Sequence, residues 1–152
     1  MNTKKDELFK QLNKELTNSG IPMCKEQIEK QIHMNVVVRR YATKGFSRTY
    51  GVDDREKLMC PVIEYYYINE KLKRPLLNES HIIALNIASA YELEMINEYS
   101  YDIFDILTLY FSERGYILAA LKMIYVRADD SITVKIQEIK DEDCLLWKKE
   151  KA

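Results

Sequence analysis

Histidine, cysteine, proline and glycine are all scarce in this 152-residue chain, at two, three, three and four residues. His33 and His81 stand alone, with no Asp or Glu at metal-ligand spacing, so the sequence offers no metal centre. Cys24, Cys60 and Cys144 are odd in number and include no C-x-x-C pair, which excludes a disulfide framework and a redox motif. They read as free thiols in a reducing cytoplasm. Few prolines and a hydrophobic content of 47% argue against disorder and for one globular domain over residues 1–152. No run approaches the ~20 apolar residues that span a bilayer. The opening Met1-Asn2-Thr3-Lys4-Lys5-Asp6 lacks an apolar export segment.

Catalytic signatures are missing as well. There is no glycine-rich phosphate loop, no G-x-S-x-G elbow and no dinucleotide fingerprint. The sequence therefore predicts a protein that is not an enzyme, with no catalytic residue, no metal and no cofactor.

What is present is sorted charge, which the net value of −1 conceals. Gln31 to Val52 holds no acid but carries Arg39, Arg40, Lys44 and Arg48. Pro75 to Glu113 holds no Lys or Arg but carries Glu79, Glu92, Glu94, Glu98, Asp102, Asp105 and Glu113. Segregated charge predicts two surfaces of opposite sign, each attractive to partners of the other.

Periodicity and turn signals predict an α+β fold: several amphipathic helices, a C-terminal antiparallel β-hairpin and a second hairpin near residues 35–50. Leu8, Phe9, Leu12 and Leu16 mark a helix over 4–18, stopped by Asn18-Ser19-Gly20. Pro22, Cys24, Ile28 and Ile32 suggest a second helix. Asn35 to Tyr41 has strand propensity, and Phe46 to Tyr50 is expected to return as its partner. Asp53 or Asp54 is expected to cap a following helix that Pro61 would kink or end. Residues 62–73 are ambiguous: Tyr65-Tyr66-Tyr67 favours a strand, while apolar spacing leans towards a helix. Asn78 suits the cap of a helix whose buried stripe is Ile82, Leu85, Ser89, Leu93 and Ile96, and Ser100 the cap of another ending before Gly115. Tyr116 to Arg127 predicts a central strand, turned by Ala128-Asp129-Asp130-Ser131 into an alternating strand. Cys144 to Lys151 is expected to form a short terminal helix.

The acidic stretch points to function if its helix presents Glu92, Glu94, Glu98, Asp102 and Asp105 together. Carboxylates on a helix repeat every ~6 Å, comparable to phosphates along a nucleic-acid strand. Tyr91, Tyr99 and Tyr101 add flat, hydrogen-bonding contact area. The leading expectation is thus a phage- or mobile-element-encoded inhibitor of anti-CRISPR type. Its acidic face would occupy the basic nucleic-acid-binding groove of a host protein. The competing reading is an ordinary solvated face, neutralised by Lys71, Lys73, Arg74 and Arg114. The alternative function is a DNA- or RNA-binding regulator using Arg39, Arg40, Tyr41, Lys44, Phe46 and Arg48, cations for phosphates and aromatics for stacking. Four cations are a thin supply for one copy, which favours a dimer. No membrane partner is expected.

Overall fold

The structure, a computed structural model, describes residues 3–150. It is a mixed α+β arrangement of four helices and a seven-stranded sheet among those residues. Helix α1 (Thr3–Asn18) forms as its spacing predicts, burying Phe9, Leu12 and Leu16. Strand β1 (Met23–Cys24) then leads to the long β2 (Gln31–Tyr41). Helix α2 (Lys44–Tyr50) precedes a second long strand, β3 (Lys57–Tyr67), and the two-residue β4 (Leu76–Leu77). Two helices follow, α3 (Glu79–Ala84) and α4 (Ala90–Ser112). The chain closes with β5 (Tyr116–Arg127), β6 (Val134–Gln137) and β7 (Cys144–Lys148). The strand order is β1-β6-β5-β2-β3-β4, with β7 also paired to β5.

The C-terminal hairpin is as expected. Tyr125 faces Ile136 in β5 and β6, and Asp130 holds the turn by accepting the Ile132 and Thr133 backbone N–H groups, each at 2.9 Å. The hairpin near residues 35–50 is corrected. The true partner of β2 is β3, with Val36 opposite Tyr65 and Val38 opposite Ile63. Phe46 to Tyr50 lies in α2, where the Phe46 and Tyr50 rings meet at 4.7 Å, four residues apart. Gly51 ends that helix at φ 72°, a left-handed conformation that glycine adopts without steric cost.

Other expectations yield to long-range pairing. The second helix does not form, because Pro22 and Cys24 carbonyls accept from Ile136 and Glu138 of the β6 region, and Ile28 stays 76% exposed. Residues 57–67 are strand, so the helix expected after Asp53 or Asp54 does not form, and the lean towards a helix over 62–73 is corrected in favour of the tyrosine run. Pro61 sits inside β3 where β4 leaves its outer edge unpaired, the position a strand tolerates proline. The C-terminal segment is strand β7 rather than a helix, with Leu146 opposite Leu118 and Cys144 opposite Leu121. Lys151, expected in that helix, lies outside the described residues.

The acidic region divides earlier than expected. Asn78 does cap α3, accepting the His81 N–H at 2.9 Å. Ile87 N–H then bonds back to Ile82 O and Asn86 N–H to Ile83 O, with Asn86 left-handed at φ 56°. This is a Schellman stop. Ser89-Ala90-Tyr91-Glu92 starts α4 as a reciprocal capping box. Ser100 caps nothing. It is fully buried in the middle of α4, its hydroxyl 2.8 Å from the Tyr125 hydroxyl.

Helices α1 and α4 cover one face of the sheet. Ile96, Ile103, Leu107 and Phe111 of α4 pack with Val36, Val38, Tyr65, Leu121, Met123 and Tyr125 in one apolar cluster. Tyr110 ties the two helices by donating to Leu8 O at 2.6 Å.

Candidate functional site

Side chains alternate across a strand, so the residues between those core positions emerge on the reverse face. Register puts Val37 beside Glu64 and Lys122, and Arg39 beside Val62 and Ala120. Charge on this face is therefore placed by the same pairing that builds the core.

Arg39 and Glu64 form its centre. Arg39 donates through Nε and Nη2 to Glu64 Oε1 at 3.0 and 2.8 Å, and through Nη1 to Thr43 Oγ1 at 2.8 Å. Tyr66 adds a third bond to the same carboxylate oxygen at 3.0 Å. The ion pair is largely removed from water, its side chains 12% and 10% exposed. Burial, and then the Glu64 charge, raise the Tyr66 phenol above its ordinary range. Nearby, Lys122 lies 3.5 Å from Asp143, which also accepts the Lys140 N–H at 2.8 Å. Burial pushes the Asp143 carboxyl above its ordinary value, outweighing the Lys140 N–H and the Lys122 charge. Further along, Gln137 Oε1 accepts from Gln27 N–H at 3.1 Å and Gln31 Nε2 at 3.3 Å. A cation held by a carboxylate on a semi-buried face is pre-positioned to meet an anionic ligand. Among the described residues, no three His, Cys, Asp or Glu side chains gather as a metal site.

The six residues named for nucleic acid do not form one basic hairpin. Arg39 is committed to Glu64, while Arg40 points to the opposite, helix-covered side with Tyr41 beside a cleft. Lys44, Phe46 and Arg48 belong to α2, and the Phe46 ring lies 5.8 Å from the Arg39 guanidinium. The acidic residues separate too. Glu94, Glu98, Asp102 and Asp105 follow one exposed stripe of α4 with Tyr91 and Tyr101, while Tyr99 is half-buried against the core. Glu92 leaves the stripe altogether. It is 6% exposed and takes Arg127 Nε and Nη2 at 2.7 and 3.1 Å. Burial would raise its carboxyl, but the Arg127 bonds and the Ser89 N–H hold it below the ordinary value. The flanking cations do not neutralise the stripe: Arg74 pairs with Glu70, and Arg114 stacks 3.6 Å over Tyr110.

Glu64, Lys122, Asp143 and Gln137 were not singled out from sequence, and Tyr66 only as part of the tyrosine run. The available signal was a lone charge inside an apolar strand, Glu64 in Val62-Ile63-Glu64-Tyr65 and Lys122 in Ala119-Ala120-Leu121-Lys122-Met123. A charge there has to be paired, so it marks a designed face.

Comparison with known proteins gives a consistent result. The SAICAR synthetase family profile matches residues 2–152. The phosphoribosylaminoimidazole-succinocarboxamide synthase of Thermoanaerobacter sp. (strain X514) is 32% identical over 116 residues, covering 76% of this chain and 49% of that protein. That of Lachnoclostridium phytofermentans is 29% identical over 133 residues, covering 88% and 55%. The chain thus spans about half the length of the curated relatives it matches. Among solved structures, the Ehrlichia chaffeensis synthase superposes with a TM-score of 0.83 at 27% identity, covering 93% of this chain and 64% of that one. A SAICAR synthetase in complex with ADP shares the fold, with a TM-score of 0.85 at 22% identity over 95% of this chain and 66% of that one. Among the described residues, no helix is long and apolar enough to cross a membrane.

Relatives that are synthases overturn the expectation of a non-enzymatic, anti-CRISPR-type inhibitor and of a host protein as its partner. The nucleic-acid regulator is overturned with it. Acidic and basic segments separate in this sequence because they lie on different elements, which by itself selects no macromolecular partner. The profile match along nearly the whole chain carries the conclusion: the chain belongs to the SAICAR synthetase family.

Proposed function

We propose that this chain takes part in a SAICAR synthetase-type ligation in purine biosynthesis, with the helix-free face of the sheet as its substrate-holding surface. The observation that carries this reading is the presence of Arg39 and Lys122 on that one face, in a chain whose relatives are synthases. Such a ligase handles anionic substrates, a nucleotide phosphate and carboxylates among them. The ADP complex of a related fold supports a nucleotide as one ligand. Lys122 is the cation for a phosphate oxygen, since its pairing with Asp143 at 3.5 Å is looser than a direct hydrogen bond. Arg39, oriented by Glu64 and Thr43, keeps its guanidinium plane fixed for a second anionic group. Free Cys24, Cys60 and Cys144 accord with a reducing cytoplasm as the site of action.

Isothermal titration of the chain with ATP and ADP tests the reading. Saturable heat with either nucleotide, weakened about tenfold by Lys122→Ala as one charge-assisted contact is lost, is the expected result. Heat that does not saturate with ATP or with ADP overturns it.

A further inference from the structure

A second cleft lies on the other side of the sheet, between the C-terminal half of α4 and the ends of β2, β3 and β5. It encloses about 390 Å³, within the ~300–1,000 Å³ usual for small-molecule sites. Arg40 and Lys57 stand on its sheet side, Asp105 on its helix side, and Phe104, Tyr41 and Tyr116 supply apolar and aromatic wall. The side chains of Arg40, Lys57 and Asp105 enter no hydrogen bond or ion pair among the described residues. The negative end of α4 would repel an anion here. That end is answered by Lys149, whose Nζ donates to Ser112 O at 3.0 Å and to Ser112 Oγ at 2.6 Å.

We propose that this cleft is a second binding site, separate from the helix-free face, for a nucleoside monophosphate. Arg40 and Lys57 hold the phosphate, the first by a planar fork and the second as a point charge. Asp105, across the cleft, accepts from ribose hydroxyls, a pairing that carboxylates make in nucleotide sites of other folds. The aromatic wall takes the face of the base. Arg40 and Arg39 are adjacent in sequence but emerge on opposite faces, so the two sites are occupied independently.

Calorimetric titration of the chain with AMP, adenosine and inorganic phosphate tests this. Fluorescence of Trp147, the chain's single tryptophan, reports in parallel, because its ring lies 5.5 Å from Tyr41 at the cleft. AMP is expected to bind one equivalent, with adenosine and phosphate each about tenfold weaker or worse. Arg40→Ala, and independently the exposed Lys57→Ala, should weaken AMP about tenfold, while Lys122→Ala leaves it unchanged. Asp105→Ala should weaken AMP and leave phosphate unaltered. No saturable AMP binding overturns the proposal, as does equal affinity for phosphate and AMP. AMP binding lost in Lys122→Ala but kept in Arg40→Ala also overturns it, and moves the nucleotide to the helix-free face without harming that reading.

Discussion

On the helix-covered side of the sheet, Val36, Val38, Tyr65, Leu121 and Met123 meet α4 through apolar contact alone, save for a few tyrosine and serine hydroxyl bonds. One residue along the same strands, Val37, Arg39, Glu64, Tyr66 and Lys122 face the other way, where Arg39 and Tyr66 donate to Glu64 and Lys122 pairs with Asp143. The first face is stabilised by area removed from water and is insensitive to which apolar group fills it, within volume limits. The second depends on particular atoms. Removing one partner there leaves a buried charge unpaired, so its members are valuable for where they point rather than for what they bury. Stability and ligand recognition are thus separated by the strand's own alternation.

The comparison can be broken first on the apolar side. Phe111→Ala removes a fully buried ring that meets both Phe9 and Tyr110, and should cost about 4 kcal/mol in urea unfolding without a specific effect on nucleotide affinity. On the polar face, Glu64→Ala should cost about 3 kcal/mol, because Arg39 and Tyr66 lose their common acceptor. The Arg39→Ala/Glu64→Ala double variant should lose less than the sum of the two singles. Additive losses would mean that the two side chains act separately.

A pH titration sharpens the contrast with a second Arg–Glu pair whose carboxylate is buried, Glu92–Arg127, which serves a helix cap rather than the site face. The Glu92 carboxyl sits below its ordinary value of 4.5, so its contribution is fully present above that pH and lost as pH falls through the depressed value. The stability gap between wild type and Glu92→Gln should therefore be widest above pH 4.5 and close at lower pH. Asp143 runs the opposite way. Its raised carboxyl binds a proton more readily when folded, so its contribution falls as pH rises above 3.8 through the raised value. The smallest effect belongs to the exposed stripe: Glu94→Gln, Glu98→Gln and Asp102→Gln together should shift stability by no more than about 0.5 kcal/mol. A loss of several kcal/mol in that triple variant would show that the stripe has a structural partner.

Much of the fold was legible locally. The α1 stripe, the β5–β6 hairpin and the Asn78 cap each rest on signals contained within a few residues, and each formed as read. The capping box Ser89-x-x-Glu92 was equally local and was passed over in favour of Ser100. Segments 22–32 and 144–148 were illegible for a different reason. Their backbone groups are satisfied by strands far away in sequence, and that pairing overrides a helical spacing of apolar residues. The site suffered likewise. Charge sorting drew attention to Arg39 through its basic neighbours, whereas its real partners are Glu64, 25 residues away, and Thr43, four residues away just before α2.

By itself the sequence determined the α+β composition, the long helix-forming and strand-forming stretches and the segregation of charge, because propensity, periodicity and side-chain chemistry act over a few residues. Only the tertiary structure decided that Arg39 and Arg40 should look in opposite directions, that Glu92 should abandon the acidic stripe for Arg127, and that Lys122 should join Glu64 on one face. Those outcomes depend on strand register and on the burial of charge. Both are settled when distant segments pair and exclude water between them.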